Sequence, residues 1–340
     1  MKNQKKHILF SLITNSRSFL FIYLSLFSFQ FSQEIFLPSI NYNDQIIYHN
    51  YYTLKYSEEH EQASWVAYIL KDVQKKGIFK RSNNFRLDPK VRTGSASVKD
   101  YKMSGYDRGH LAPASDMSFS SIAMSESFYL SNISPQVAGF NRGIWKRLES
   151  LIRGWVKADM ELQIVTGGVL NNSFKKIGLN NVSVPDFFYK VILDIKEPDI
   201  KGIGFILPNK KSKLGLEKYA MSIDEVEEFT GINFFESLPD DLENKIESKL
   251  DLDKFNFSKS NRKSGLNIHP QIPRSKIEKI NINLSSKSEL MKLPGIGDKL
   301  STRIIKYRNI NGYFTSINDI QKVKGIGHKT AEKLKPFIFF

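Results

Sequence analysis

Near the end of the chain Leu293-Pro294-Gly295-Ile296-Gly297-Asp298-Lys299 returns thirty residues later as Val323-Lys324-Gly325-Ile326-Gly327-His328-Lys329. A sequence that repeats at such an offset builds the same local unit twice, which narrows the folds open to it. Each copy follows a short apolar-periodic segment, Ser288 to Lys292 and Ile317 to Lys322. Each precedes another, Lys299 to Arg308 and Lys329 to Leu334. The pattern predicts helix, glycine-rich hairpin, helix, twice over. Gly-Ile-Gly at a helix start leaves backbone N–H groups uncovered, and the helix N-terminus adds partial positive charge, so a phosphate fits there. The rival reading is a tight turn beside solvated lysines. Two copies in register weigh against it.

Charge supports a polyanion as partner. Fifty Lys and Arg against thirty-five Asp and Glu leave +15 over 340 residues. The segment from Lys276 to the end alone holds thirteen basic and five acidic residues. About half of the excess thus sits in the last fifth of the chain, which points to a separate binding module. Before it, from Asp240 to about Ile280, the text is rich in Ser, Asn, Lys and charge, with Pro270 and Pro273, and only Asp241 to Leu250 reads as helix. We read this stretch as a linker. The absence of cysteine excludes disulfides, zinc-thiolate sites and thiol nucleophiles.

The N-terminus carries Lys2, Lys5 and Lys6, then after Arg17 an apolar run from Phe19 to Phe29, then polar residues from Gln30 to Glu34. That order is the order of an export signal, with an uncleaved membrane anchor as the rival. The expected organisation is a leader over 1–33, a domain over 45–240, a linker over 241–275 and the basic module over 276–340. The expected location is exported, periplasmic or secreted, or membrane-anchored if the leader is retained.

Trp65 to Leu70, Leu162 to Gly167, Phe187 to Ile195 and Lys201 to Leu207 are rich in aromatic and branched residues and read as strands. Phe140 to Lys157 reads as a helix, with Trp145, Leu148, Ile152 and Trp155 at helical spacing. The fold class is α+β, layers of helix on a mainly antiparallel sheet, followed by a small all-α module.

Two stretches carry chemistry: Asp107-Arg108-Gly109-His110-Leu111-Ala112-Pro113, and Asn141-Arg142-Gly143-Ile144-Trp145-Lys146-Arg147-Leu148-Glu149. Histidine is the side chain whose ordinary pKa leaves it neutral yet basic near pH 7, so His110 suits the removal of a proton from water attacking phosphorus. Gly109 permits close backbone approach, and Arg108 can pair with a phosphate oxygen. The developing charge needs a counter-ion such as Mg²⁺, which prefers oxygen ligands and keeps its waters. Asn141 offers one such oxygen, although an asparagine before Gly143 and a helix is also an ordinary N-cap. In a continuous helix Glu149 lies about 12 Å further along the axis, so it is placed to orient metal-bound water. Trp145 reads as packing.

These motifs resemble the DNA/RNA non-specific endonucleases of the ββα-metal type, the family of endonuclease G and the secreted bacterial nucleases. The likeness runs from about Tyr51 to Leu238. It takes in Trp65-Val66-Ala67-Tyr68, the two stretches above, Leu130-Ser131-Asn132-Ile133-Ser134-Pro135-Gln136 and Thr230-Gly231-Ile232-Asn233-Phe234-Phe235. The resemblance implies His110 as general base and Asn141 as the one direct protein ligand of a hydrated Mg²⁺, with Mn²⁺ or another divalent ion as a substitute. It implies Glu149 as holder of the metal's waters and Arg108 at the phosphate or in support of the metal shell, with Asp107 and Asn132 in support. The phosphate-clamping arginine corresponds to Arg81, with Arg86 and Arg92 as alternatives. DNA and RNA are both implied as substrates, double- and single-stranded, with 5′-phosphate products and no organic cofactor. An inhibitor protein and the oligomeric state stay open.

The tail, from Ile280-Asn281-Ile282-Asn283 to Leu334-Lys335, resembles the tandem helix-hairpin-helix domain of competence-type DNA receptors. The resemblance implies non-specific contact with a duplex backbone through Gly295, Ile296, Gly297, Lys299, Arg303, Gly325, Ile326, Gly327 and Lys329. The combined expectation is a Mg²⁺-dependent endonuclease with a duplex clamp. The alternative is a DNA-binding or uptake receptor whose nuclease-like part only holds strands.

Overall fold

The computed structural model describes residues 35–157, 160–170, 175–196, 198, 200–257 and 279–340. The expected leader and about half of the expected linker, residues 258–275, lie outside the described residues. Among the described residues no helix is long and apolar enough to cross a membrane.

The described strands are β1 (Gln45–Tyr48), β2 (Thr53–Ser57), β3 (Gln62–Lys71), β4 (Asp107–His110), β5 (Ile133–Gln136), β6 (Glu161–Gly168), β7 (Lys176–Ile177), β8 (Val182–Ser183), β9 (Phe187–Asp194), β10 (Lys201–Pro208), β11 (Ala220–Met221), β12 (Ile280–Asn281) and β13 (Ile338–Phe339). The α-helices are α1 (Val98–Tyr101), α2 (Ser121–Glu126), α3 (Lys146–Trp155), α4 (Ile223–Thr230), α5 (Asp240–Glu247), α6 (Lys287–Leu290), α7 (Asp298–Asn311), α8 (Ile317–Ile320) and α9 (His328–Leu334).

A seven-stranded sheet in the order β1-β2-β3-β6-β9-β10-β11 is antiparallel throughout. Its inner strands are buried on both faces, which is why they read as nearly continuous apolar runs rather than as an alternation. On one face Val66, Tyr68, Ile164, Ile192 and Phe205 meet Trp145, Leu148, Ile152 and Trp155 from the helical segment before β6. On the other, Tyr189 packs on Phe234 and Phe187 on Phe229, beside α4. Ser222 caps α4, accepting from the Glu225 amide while Glu225 returns to the Ser222 amide, and Gly231 ends it in the left-handed conformation.

The long excursion between β3 and β6 holds β4, β5 and α3. β4 and β5 pair antiparallel and lead into a helix, a ββα unit beside the sheet. The single helix expected over Phe140 to Lys157 is instead two pieces. A wide π-turn covers Phe140–Trp145, the backbone leaves helical geometry at Gly143 (φ −106°, ψ −106°), and α3 follows. Helical spacing of apolar residues does not reveal an i→i+5 turn.

In the C-terminal module the two repeats run α6-hairpin-α7 and α8-hairpin-α9. Gly295 (φ +74°) and Gly325 (φ +97°) turn each hairpin in the left-handed region, which a side chain would strain. Ile296 and Ile326 point into the module's own core with Leu290, Ile304, Ile320 and Leu334. β12 and β13 pair in parallel and join the two ends of the module. Phe255, within the expected linker, packs on Trp155.

Candidate active site and nucleic-acid interface

The β4–β5 pair positions His110. The register sets His110 opposite Ile133 and Gly109 opposite Ser134. A Cβ on Gly109 would lie 2.2 Å from the Gln136 carboxamide, so glycine here answers to the paired strand rather than to a ligand as the sequence implied. Asn132, fully buried, brackets the chain just beyond His110. Its Oδ1 accepts from the Ala112 amide (2.9 Å), and its Nδ2 donates to the Ala112 (3.0 Å) and Ser127 (2.9 Å) carbonyls.

The His110 imidazole is wedged between Phe128 (centroids 4.7 Å apart) and Phe85 (5.6 Å). Each ring carries a guanidinium, Arg108 over Phe85 at 4.2 Å and Arg81 over Phe128 at 4.8 Å. The His110 Nε2 is buried with no hydrogen-bond partner. Burial, then the fields of Arg81 and Arg108, push the His110 pKa down to about 3. The ring is therefore neutral at pH 7. Of the three candidate clamp arginines, Arg81 is the one whose charge bears on His110. Arg86 is spent elsewhere, stacked on Tyr129 at 4.0 Å and donating to the Ser125 carbonyl (2.8 Å).

Asn141 is not a cap. Gly139 holds that position, and the Asn141 Nδ2 donates to the Asp107 Oδ2 (2.9 Å). Asp107 is gripped in turn by the Arg142 Nε (2.8 Å) and Nη2 (2.6 Å). Burial opposes ionisation of Asp107, but Arg142 and Asn141 outweigh it and hold the carboxyl below its usual range. With its nitrogen committed, the Asn141 Oδ1 has no hydrogen-bond partner among the described residues.

Glu149, half-buried on α3, makes no direct hydrogen bond or ion pair among the described residues. Burial pushes its carboxyl up, against the pull of Lys190. Lys190 is fully buried, its ammonium 4.9 Å from the Trp145 ring and 5.8 Å from that of Tyr68, with the Leu111 carbonyl at 3.5 Å. Burial pulls its pKa down and Glu149 and Asp116 push it back. Asp116 accepts from the Tyr68 hydroxyl (2.9 Å) and pairs with Arg153 (2.6 Å).

An uncommitted amide oxygen and a carboxylate without a direct partner are hard donors, and they fit a divalent cation held mainly by water. Sequence reasoning gave no site role to Lys190, Asp116, Arg153, Tyr68, Phe85 or Phe128. For Lys190 a signal existed: period two in β9 places it between Phe188 and Ile192, on the core face.

The tail's candidates lie apart from this cluster. Arg303 donates to the Lys324 carbonyl (2.9 Å), tying α7 to the second hairpin. Lys299 and Lys329 are exposed, and the Lys329 ammonium lies 3.4 Å from the Asn244 carbonyl and from the Ser248 hydroxyl. Ile296 and Ile326, being core residues, can offer a ligand only their backbone.

A family model for the DNA/RNA non-specific endonuclease matches residues 32–241, and one for the helix-hairpin-helix motif matches residues 275–339. The chain belongs to the DNA/RNA non-specific endonuclease family. Among relatives in this endonuclease family, the mitochondrial nuclease EXOG of Danio rerio is 37% identical over 206 residues, 55% of this chain and 60% of that protein. Nuclease C1 of Cunninghamella echinulata var. echinulata is 35% identical over 204 residues, 55% of this chain and 81% of that protein. A crystal structure of the EndoG/EndoGI complex, described as showing the mechanism of EndoG inhibition, superposes with a TM-score of 0.54 at 31% identity. It covers 58% of this chain and 87% of that one. The chain thus spans three fifths of the length of the Danio rerio nuclease it matches, and the C-terminal module lies outside the endonuclease match.

Proposed function

We propose that this protein is a divalent-metal-dependent endonuclease that hydrolyses phosphodiester bonds of DNA and RNA without sequence preference, with Mg²⁺ as the working ion. The observation that carries this reading is a buried imidazole flanked by two guanidiniums that make no ion pair among the described residues, in the same ββα unit as the uncommitted Asn141 oxygen. His110 takes the proton of the attacking water as its oxygen bonds to phosphorus. The bond from phosphorus to the 3′-oxygen breaks and that oxygen takes a proton from solvent, leaving a 5′-phosphate and a 3′-hydroxyl. Arg108 and Arg81 meet the phosphate oxygens. An arriving phosphate also cancels the field of these two arginines at the imidazole, so the base strengthens when substrate is bound.

Asn141 Oδ1 would hold the cation directly, Glu149 would receive hydrogen bonds from its waters, and Asp107 keeps the Asn141 amide turned the right way. A bound divalent ion supplies charge stabilisation at the phosphate. Beneath Glu149, the buried Lys190 ammonium favours the ionised carboxylate. None of these groups is committed to a base edge, which accounts for cleavage without sequence preference. The helix-hairpin-helix module would grip duplex backbone and raise the local concentration of substrate. The order of charges in the leader supports export.

Digestion of supercoiled plasmid and of RNA tests the reading. Cleavage with Mg²⁺, none with EDTA and a collapse of rate in His110→Ala are expected. Plasmid left intact by the unmutated chain would favour the strand-holding receptor instead.

A further inference from the structure

The module carries its phosphate-binding edge toward the rest of its own chain. Gly295, Arg303, Gly325, Gly327 and Lys329 line a cleft of about 880 Å³ whose opposite wall holds Asp224, Glu227, Glu236, Glu243 and Glu247. A smaller cavity of about 180 Å³ sets Gly295 and Gly297 against Ser39 and Asn233.

Direct contacts follow the same plan. The Lys333 ammonium of α9 pairs with Asp224 (2.6 Å) and Glu227 (3.3 Å) of α4. A Cβ on Gly297 would stand 3.1 Å from the Glu236 Oε1, so a carboxylate oxygen already lies at the N-terminus of α7, where a phosphate is expected. Gly297 is buried while Gly327, its counterpart in the repeat, is exposed. The two hairpins share local sequence and backbone geometry, so that difference comes from what covers the first. Asp224, Glu227 and Glu247 bring ligand atoms within 4.8 Å of one another. The Lys333 ammonium already pairs with two of the three, which makes this cluster a docking site for α9 rather than a site for a metal.

We propose that this acidic face is an internal competitor for duplex DNA: its carboxylates take the places of backbone phosphates at the first hairpin and at Lys333 of α9, and a duplex must displace them to bind. The inference rests on the reading of the module as a duplex grip. Burial of Glu227 and Glu247 fits a face built to be covered. The apparent dissociation constant is the intrinsic one divided by the fraction of molecules with the edge uncovered.

Anisotropy of a labelled 20-base-pair duplex, with the full chain and EDTA present to prevent cleavage, tests the competition. Glu236→Ala, at an exposed position, and Asp224→Asn with Glu227→Gln are each expected to tighten binding about threefold to tenfold. Glu161→Gln, outside the cleft, controls for net charge. Unchanged or weaker affinity in both acidic variants, or equal tightening in the control, overturns the proposal. Lys299→Ala with Arg303→Ala separates the two ideas. If this pair weakens binding while the acidic variants do nothing, the competition alone is lost; if it too does nothing, the grip goes with it. Should the buried variants fail to fold, the unmutated chain still decides. Saturating duplex is expected to speed amide exchange in α5, and slower or unchanged exchange refutes displacement.

Discussion

The candidate active site and the C-terminal module are both rich in cations, but they hold them differently. At the site Arg81 and Arg108 lie over aromatic rings and neither makes an ion pair among the described residues. In the module Lys333 is neutralised by Asp224 and Glu227, and Lys329 leans on Asn244 and Ser248. Positive charge without an ion-pair partner adds to burial in lowering a neighbouring histidine, and it waits for an anion. Charge that is already answered is held in reserve. The net +15 of the sequence does not distinguish the two.

The largest test of that contrast removes the group the unpaired cations act on. His110→Ala should cut kcat on plasmid by about 10²- to 10⁴-fold, the usual worth of a positioned base, while duplex affinity in EDTA stays unchanged. A comparable loss of affinity would mean that the site and the grip are not separable. Glu149→Gln is next. It removes a carboxyl whose field, with that of Asp116, opposes the effect of burial on the Lys190 ammonium, and it removes a charge that would hold the cation's waters. We expect kcat to fall about 10- to 100-fold and the Mg²⁺ concentration for half-maximal rate to rise. A fall in kcat with the Mg²⁺ midpoint unmoved would assign Glu149 to packing.

The pH dependence of stability sharpens the comparison without catalysis. The folded pKa of His110 lies near 3, below the unfolded value of about 6.5. As pH falls through that window the unfolded chain takes up a proton that the folded chain refuses, so stability declines. At pH 5 the cost is about 2 kcal/mol relative to pH 7. Urea unfolding at the two pH values should therefore show a smaller drop for His110→Ala than for the unmutated protein. Equal drops would show that the imidazole is not held neutral.

How much of this was legible beforehand differs between the same two regions. The long strands announced themselves because β6 and β9 are buried on both faces, and the β4–β5 motif was readable because its chemistry sits in contiguous residues. The module's helices were placed within a few residues, since a repeat checks itself. The π-turn at Phe140–Trp145 left no trace in the apolar spacing. The Lys190, Asp116 and Arg153 network is assembled from β9, the loop after β4 and α3, so no local window contains it. The acidic wall opposite the hairpins was unreadable for the same reason: Asp224, Glu236 and Glu247 are ordinary surface letters until the fold turns the module toward them.

Deleting residues 270 to 340 probes the grip itself. Losing a tethered binding site acts through effective concentration, so KM on long duplex should rise about tenfold with kcat little changed, and a dinucleotide substrate should show neither effect. An unchanged KM at moderate salt would remove the module from the mechanism.

The smallest effect compares two buried asparagines with the same job. Asn132 brackets the backbone beside His110. Asn283 does so in the module, donating to the Phe314 carbonyl (2.9 Å) and accepting from the Phe314 amide (2.8 Å). Removing a side chain that satisfies buried backbone groups costs about 1 to 3 kcal/mol. For Asn283→Ala the lower end applies, because Arg308 separately ties the Ile282 (2.8 Å) and Ser285 (2.7 Å) carbonyls to α7. The loss should appear as faster amide exchange within α7 and α9, with kcat on a short single strand unaltered. Asn132→Ala should lower that kcat, because the atoms it holds are the ones that aim the imidazole. If both variants slowed the short substrate alike, the two regions would be one cooperative unit, and the contrast between an open site and a covered grip would have to be redrawn as a single mechanical coupling.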